Sequence, residues 1–193
     1  MNFFATEGDF AHYKAYANVQ SAMNESVSVH MDSTSWKPKK NIFLSHKHDE
    51  LEELKGMIGF LEHEYNVKVY IDSFDPSMPS VTSGETAVRI KKKIDVCDKF
   101  ILLATEKAIA SKWCNWELGY GDCKKTISKG AVFPIKSKDH AFTGNEYLQI
   151  YHHIVYEDGY SFYSNGSRIP KGYYIKYVNT NIIAPLNDWL NKY

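Results

Sequence analysis

The chain has 193 residues, of which 44% are hydrophobic and 24% charged, which suits one folded domain with appendages and argues against a disordered chain. Lys plus Arg equals Asp plus Glu at 23 each, so no net charge attracts nucleic acid or an anionic membrane, and we expect neither as a partner. Three scattered cysteines without a Cys-x-x-Cys pair argue against a disulfide framework or a cysteine-ligated zinc site, and they fit a reducing cytoplasm.

We expect no targeting segment at the beginning of the chain. It lacks the basic start and long apolar core of a signal peptide, and no apolar run approaches the roughly 20 residues that a membrane span needs. We therefore expect a cytoplasmic protein. Residues 1–38 are interpreted as an N-terminal extension. A weak helical spacing of its residues is formed by Phe10, Tyr13, Ala17 and Gln20. An alternation typical of a strand follows over Ser26–Met31.

From Asn41 onward, short apolar runs alternate with amphipathic stretches. Apolar runs of this length are typical of strands that are buried on both faces of a parallel sheet. Helices are predicted between them, and the alternation indicates right-handed crossovers and a doubly wound α/β sheet. The predicted strands are Asn41–Ser45, Val67–Ile71, Phe100–Ala104, Ala131–Ile135 and His153–Tyr156.

The first two predicted helices follow the first two strands. Asp49 stands where a helix cap belongs, before apolar residues that recur at helical spacing as far as Leu61. Gly56 and Gly59 lie inside this helix, where we expect them to serve close packing. The second helix is predicted from about Glu85 to Asp95.

Three polar segments follow strands of the predicted sheet. Ser45–His48 ends the first strand, the long polar loop Asp72–Gly84 follows the second, and the turn that leads to Trp113 follows the third. In doubly wound sheets, ligands bind at the carboxyl ends of the strands, near the switch in strand order. The three segments are therefore predicted to meet on one rim of the sheet.

The segment Ser111–Gly121 places one carboxylate among aromatic rings. Ser111 is predicted to cap a helix on which Trp113 and Glu117 are four residues apart, and therefore on one face. Trp116 and Tyr120 form a second four-apart pair beside them. Rings that exclude water would raise the pKa of Glu117 and strengthen its attraction for a cation. The alternative is a surface glutamate beside two core tryptophans, and the residues alone leave it open.

Several kinds of site are disfavoured by missing motifs. The chain has no Walker phosphate loop, no Gly-x-Gly-x-x-Gly after the first strand and no Gly-x-Ser-x-Gly nucleophile. Thr105–Lys107 stands where a receiver domain needs its phosphorylated Asp. The pairs His46-x-His48 and His152-His153 lack a neighbouring carboxylate or cysteine, so we expect no metal. His46, beside Ser45 at a strand end, is a candidate ligand contact.

The last 35 residues, 159–193, are interpreted as a C-terminal extension packed on the main domain. Asn165-Gly166 lies between two strand-like arms within Ser161–Ile169, which predicts a hairpin. Pro185 is predicted in the first turn of a closing helix that carries Leu186, Trp189 and Leu190.

Taken in order, five segments resemble the TIR (Toll/interleukin-1 receptor) domain, and most closely the bacterial TIR domains that consume NAD+. They are Asn41–Asp49, Tyr70–Asp72, the long loop before Ala87, Cys97-Asp98 and Ser111–Leu118, and the likeness extends from about Lys39 to Ile135. The resemblance implies a flavodoxin-like sheet of five parallel strands in a domain over residues 39–158. It also implies that Glu117 is catalytic. The loop Asp72–Gly84 departs from the family's acidic-x-x-Pro-Gly form, because Ser80 follows Pro79.

The resemblance further implies an NAD+ nucleosidase or cyclase that needs no cofactor and releases ADP-ribose or a cyclic ADP-ribose. Such proteins occur in antiphage defence of the Thoeris kind, where the cyclic product activates a separate effector, and they often self-associate through TIR contacts. The residues expected to contact NAD+ are Phe43, Ser45, His46, Asp72, Gly84, Trp113 and Trp116. Two alternatives are a TIR module that only binds other TIR domains and an enzyme similar to nucleoside deoxyribosyltransferases.

Overall fold

The computed structural model describes residues 3–17, 39–75, 78–79, 83–139, 142 and 144–192. The strand-like stretch predicted over Ser26–Met31 lies outside these residues. The described residues form eight strands: β1 Ala5–Thr6, β2 Asn41–Ser45, β3 Lys68–Tyr70, β4 Lys99–Ala104, β5 Gly130–Lys136, β6 His152–Glu157, β7 Gly172–Lys176 and β8 Ile183–Pro185.

The sheet has the strand order β3-β2-β4-β5-β6-β7-β8, and β1 pairs with β5 outside this path. The pairs from β3 to β6 are all parallel, whereas β7 and β8 continue the sheet in antiparallel pairing. All five predicted strands are present, and their order is that of a flavodoxin-like fold. The prediction of a doubly wound parallel α/β sheet is confirmed.

Five α-helices accompany the strands in the described part of the chain: α1 Leu51–Tyr65, α2 Gly84–Val96, α3 Glu106–Ala110, α4 Lys112–Lys125 and α5 Leu186–Lys192. The predicted cap at Asp49 is wrong, because α1 begins after Glu50. The Glu50 carboxylate does not cap the helix either, since it accepts a hydrogen bond of 2.5 Å from the Thr105 hydroxyl. Among the described residues no helix has the length and apolar character needed to span a membrane.

Alternate residues of β2 point into two apolar layers on opposite faces of the sheet. Ile42 and Leu44 belong to the layer that includes Leu54 of α1. Phe43 belongs to the other layer, which includes Leu118 of α4. Because side chains alternate along a strand, Ser45 lies on the same face as Phe43 and is directed toward α4. The alternation of side chains along β2 therefore decides which of its residues can contact α4.

The N-terminal segment is part of the first apolar layer. Ala11–Tyr16 forms a 3₁₀-helix beside α1, and Phe10 is buried next to it. A Cβ atom on Gly56 would lie 2.6 Å from the carbonyl oxygen of Phe10, and one on Gly59 would overlap the carbonyl oxygen of Tyr13. The predicted packing role of both glycines is confirmed, because only their missing side chains let the two backbones approach this closely.

Replacing Gly56 or Gly59 with Ala is expected to lower the free energy of unfolding by about 1–3 kcal/mol through overpacking. This loss exceeds the helix preference of Ala over Gly, which is worth about 1 kcal/mol. Gly119→Ala is the matched control, because Gly119 is also helical and a Cβ there meets no atom within 4 Å. The control should gain stability in urea unfolding. Equal effects of all three substitutions would contradict the close-approach explanation.

The C-terminal residues confirm the turn but correct the helix start. Phe162 and Arg168 form an antiparallel bridge, and Gly166 has a φ of +81°, so the chain reverses at the predicted Asn165-Gly166. The arms pair through this bridge rather than as extended strands. Pro185 is the last residue of β8 and precedes α5 instead of lying in its first turn. Since β7 pairs directly with β6, the sheet continues past residue 158, and the domain limits stay a prediction.

Candidate active site

The start of α4 brings its buried face to the carboxyl end of β2. Ser111 precedes the helix, and its hydroxyl oxygen accepts a hydrogen bond of 3.3 Å from the backbone N–H of Cys114. This confirms the predicted cap. The Cys114 thiol in turn donates to the backbone carbonyl of His46 at 3.2 Å, which fixes the helix start against the residue that follows β2. Glu117 lies one turn farther along the same face.

Glu117 is a buried carboxylate held at one oxygen. Its exposed fraction is 1%, and its Oε2 accepts a hydrogen bond of 2.6 Å from the hydroxyl of Ser45. Its Oε1 has no hydrogen-bond partner among the described residues, although the side chain of Trp113 lies close enough to favour the charged form. The alternative of a surface glutamate is wrong. One carboxylate oxygen is therefore fixed, and the other keeps an unused acceptor position that a ligand reaches only when neighbouring side chains move.

The surroundings of Glu117 favour its protonated form. Burial raises the pKa of its carboxyl to about 8, and the negative charge of Asp72 acts in the same direction. The hydrogen bond from Ser45 opposes this shift, as does Trp113. A strongly raised pKa in a carboxylate at the rim of an α/β sheet is characteristic of functional sites. Burial, rather than the contact with Trp113, therefore accounts for the rise in the pKa of Glu117.

A second group of polar side chains lies at the ends of β2 and β3. The Nε2 atom of His48 is 3.0 Å from Oδ2 of Asp72, and Nδ1 of His46 is 3.8 Å from Oδ1 of the same carboxylate. Nε2 of His46 also pairs with the Ser73 hydroxyl at 2.8 Å. The expectation that the His46-x-His48 pair has no carboxylate neighbour is wrong, because β3 is adjacent to β2 and Asp72 follows it.

Opposing influences set the protonation of this group. Burial lowers the pKa of His46 and outweighs the nearby charge of Asp72. The hydrogen bond to Asp72 is the main reason that the pKa of the half-exposed His48 is raised. Burial acts to raise the pKa of Asp72, but the hydrogen bond from His48 and the charges of both histidines outweigh it, so the net shift is downward. The carboxylate of Asp72 is therefore ionised at neutral pH.

The aromatic residues divide into a half-buried row on α4 and an enclosed ring on β2. The rings of Trp113 and Trp116 are 5.0 Å apart, and the ring of Tyr120 is 6.2 Å from Trp116. Phe43 is 0% exposed and stacks on Phe100 with centroids 5.6 Å apart. Because β2 is buried on both faces, Phe43 presents no ring face to a ligand in this conformation. The predicted contact between Phe43 and NAD+ therefore receives no structural support and stays a prediction.

The structure brings some of the predicted site residues close to Glu117 but not all of them. Ser45, His46, Asp72 and Trp113 lie around or near Glu117, and Trp116 extends the aromatic row from Trp113. Gly84 is exposed at the first position of α2, and the structure records no contact between it and Glu117. Its predicted role in substrate binding therefore receives no structural support.

Several residues that sequence reasoning missed support the rim of the sheet. The Thr105 hydroxyl, just after β4, donates to Glu50 and accepts from the backbone N–H of Ala108, so it joins the segment after β2 to the start of α3. His48 and Ser73 hold the group around Asp72. The available signal was their position immediately after predicted strands, where parallel neighbours share an edge.

A separate cavity of about 290 Å³ lies beside β6 and the turn after β7. Its lining residues include Phe4, Tyr151, His153, Lys176 and Thr180. None of the residues around Glu117 lines it. The rim site and this cavity are therefore distinct places for a ligand.

A family model described as the TIR domain matches residues 42–162, a range that contains β2 without its first residue, β3 to β6 and Glu117. The chain is also similar to a protein of Bacillus cereus (strain MSX-D12) named probable 3′ cyclic ADP-D-ribose synthase ThsB′. The two are 30% identical over 119 residues, which is 60% of this chain and 60% of the relative. The aligned chain thus spans less than two thirds of the length of the curated relative that it matches.

Proposed function

The chain belongs to the TIR domain family, and from this premise we propose that it cleaves NAD+ at the bond between nicotinamide and ribose. The proposed products are nicotinamide with ADP-ribose or a cyclic ADP-ribose. The name of the Bacillus cereus relative, a probable cyclic ADP-D-ribose synthase, supports this class of reaction. The observation that carries the proposal is the buried Glu117, whose Oε1 has no partner among the described residues.

One carboxylate is sufficient for this chemistry. Ordinary glycosidases need two carboxyl groups because an alkoxide leaving group must be protonated. Nicotinamide leaves NAD+ as a neutral molecule from a pyridinium, so its departure needs no general acid. The remaining requirement is to stabilise positive charge on the ribose in the transition state, which a fixed anion in a water-poor site does effectively. Ionised Glu117 fulfils that requirement.

The Ser45 hydroxyl has a positioning role in this mechanism. By donating to Oε2 it fixes one oxygen of the carboxylate and leaves Oε1 as the acceptor for the substrate. Oε1 is then placed to accept a hydrogen bond from a ribose hydroxyl and to face the developing charge. The half-buried ring of Trp113 next to the carboxylate offers an apolar surface for nicotinamide or the sugar.

The nucleophile that captures the ribose cation decides the product. Water gives ADP-ribose, whereas an oxygen or nitrogen of the same molecule gives a cyclic ADP-ribose. Cyclisation requires the occupied site to exclude water until the internal nucleophile arrives. We further propose that the reaction needs no cofactor and that a cyclic product would serve as a signal to a separate effector. Self-association through TIR contacts and a cytoplasmic location stay predictions.

Product analysis tests the proposed activity. The purified chain is incubated with NAD+ at several protein concentrations, because the predicted self-association depends on concentration. The mixture is then resolved by mass spectrometry. Release of nicotinamide together with ADP-ribose or its cyclic, water-free counterpart is the expected result. Failure to release nicotinamide at every concentration would favour the module that only binds other TIR domains.

The pH profile gives a prediction specific to Glu117. Because its pKa is raised to about 8, the carboxylate is mostly protonated at neutral pH in the free protein. If the ionised form is active, kcat/KM rises with pH and levels off above an apparent pKa near 8. Initial rates of nicotinamide release between about pH 6 and about pH 9.5 provide the measurement. A profile that falls over this range would contradict an ionised Glu117.

A further inference from the structure

Two imidazoles and one carboxylate converge at the adjacent ends of β2 and β3. Each of His46, His48 and Asp72 offers one ligand atom, and these atoms all lie within 4.8 Å of one another. The two measured nitrogen–oxygen distances are 3.0 Å for His48 and 3.8 Å for His46. Zinc bonds of about 2.0–2.2 Å place the ligand atoms of a tetrahedron roughly 3.4 Å apart. One of the two measured distances is shorter than this tetrahedral spacing and the other is longer.

The surroundings of the three residues suit a metal ion. His46 and Asp72 have side chains only 1% and 6% exposed, so they form a rigid base. The side chain of His48 is 50% exposed and can adjust its position to complete the coordination. The two buried side chains hold their ligand atoms in fixed positions, and the exposed third side chain leaves a path by which the ion enters.

The Ser73 hydroxyl acts on His46 as outer-shell partners act on metal-bound histidines. Such partners accept a hydrogen bond from one ring nitrogen and thereby fix the tautomer whose other nitrogen binds the ion. Nε2 of His46 lies 2.8 Å from Oγ of Ser73. Binding of an ion requires the tautomer in which Nε2–H donates to Ser73, and it replaces the 3.3 Å contact between Nδ1 and the carbonyl oxygen of Leu44. Nδ1 is also the nitrogen nearest to Asp72.

We propose that His46, His48 and Asp72 bind one divalent transition-metal ion, with zinc as the best fit to two imidazoles and one carboxylate. Three protein ligands leave the fourth tetrahedral position to water or to an oxygen of a bound molecule. The site is defined by its own residues and stands whether or not the chain cleaves NAD+. Imidazole ligands disfavour magnesium, which prefers oxygen ligands in octahedral geometry.

Zinc binding to the full chain tests the proposal. The protein is first dialysed against a chelator and then titrated with zinc in competition with a chromophoric chelator. One equivalent is expected to bind, and Co²⁺ in its place should give the visible absorption of a tetrahedral complex. Excess Mg²⁺ should not compete.

Substitutions separate this site from adventitious binding. His48→Ala and Asp72→Asn should weaken binding by more than about 100-fold, whereas Ser73→Ala, which removes only an outer partner, should cost about 10–100-fold. His63→Ala is the matched control, since Nδ1 of His63 also lies 3.0 Å from a carboxylate, that of Glu64. Binding should survive that change. The proposal is overturned if the folded parent binds no zinc, or if both His48→Ala and Asp72→Asn bind it as the parent does.

Discussion

Glu117→Gln is expected to lower kcat for NAD+ cleavage by about 10²–10³-fold, the range seen when a preorganised electrostatic contact to a transition state is removed. The amide keeps the size of the side chain, and its oxygen can still accept the 2.6 Å hydrogen bond from Ser45. It carries no negative charge, however, so it cannot offset the charge on the ribose. The measurement is the rate of nicotinamide release at saturating NAD+.

Loss of activity in this variant should not reflect unfolding. The folded state raises the pKa of Glu117 from its ordinary 4.5 to about 8, so between these values the folded chain binds more protons than the unfolded chain. The free energy of unfolding therefore decreases as pH rises through this window. Gln removes that penalty, and the variant should be at least as stable as the parent near pH 8.

A matched control is Glu53→Gln. Burial also raises the pKa of Glu53, and its carboxylate accepts a hydrogen bond of 3.1 Å from the backbone N–H of Gly8. Glu53 lies on α1, which packs on the opposite face of the sheet from α4 and Glu117. Unchanged activity in this control alongside loss in Glu117→Gln would locate the chemistry. If Glu117→Gln keeps the parent's kcat, Glu117 is not the catalyst.

Ser45→Ala should give the second largest effect, a decrease of about 10–100-fold in kcat/KM at neutral pH, because a hydrogen bond to a charged group is worth about 1.5–3 kcal/mol. The hydrogen bond from Ser45 lowers the pKa of Glu117, so its removal should also move the rising part of the pH profile to higher pH. A purely structural role for Ser45 would not produce that displacement.

The control for this second variant is Ser128→Ala, because the Ser128 hydroxyl pairs with the nearby Thr126 hydroxyl, at 2.9 Å, outside the rim site. Both variants are compared by kcat/KM measured across the same pH range. An Ser45→Ala profile that matches the parent at every pH would show that Glu117 does not depend on this hydrogen bond.

The sheet was largely predictable from the chain because its parallel strands are buried on both faces and appear as uninterrupted apolar runs. The spacing of Trp113 and Glu117 and the cap at Ser111 were predictable for a similar reason, since both are local on one helix. The start of α1 could not be predicted in this way, because Asp49 and Glu50 are both plausible caps. A tertiary contact, between Glu50 and Thr105, decided the side-chain arrangement there.

Other parts of the site depend on contacts that local pattern does not encode. Strand order brings Asp72 beside His46 and His48, although 24 residues separate Asp72 from His48. Phe43 lies in a strand that is buried on both faces, so its pattern does not distinguish packing on Phe100 from stacking on a ligand. The position of Phe10 against α1 likewise depends on a backbone approach rather than on hydrophobic periodicity.

A structure of the Glu117→Gln variant with NAD+ bound tests the central claim most directly. The account predicts the nicotinamide ribose at the carboxyl end of β2, with a ribose hydroxyl within about 2.6–3.2 Å of the residue 117 side chain and nicotinamide near Trp113. Binding of this ribose in the cavity lined by Tyr151, His153 and Lys176, with residue 117 still enclosed and untouched, would contradict it.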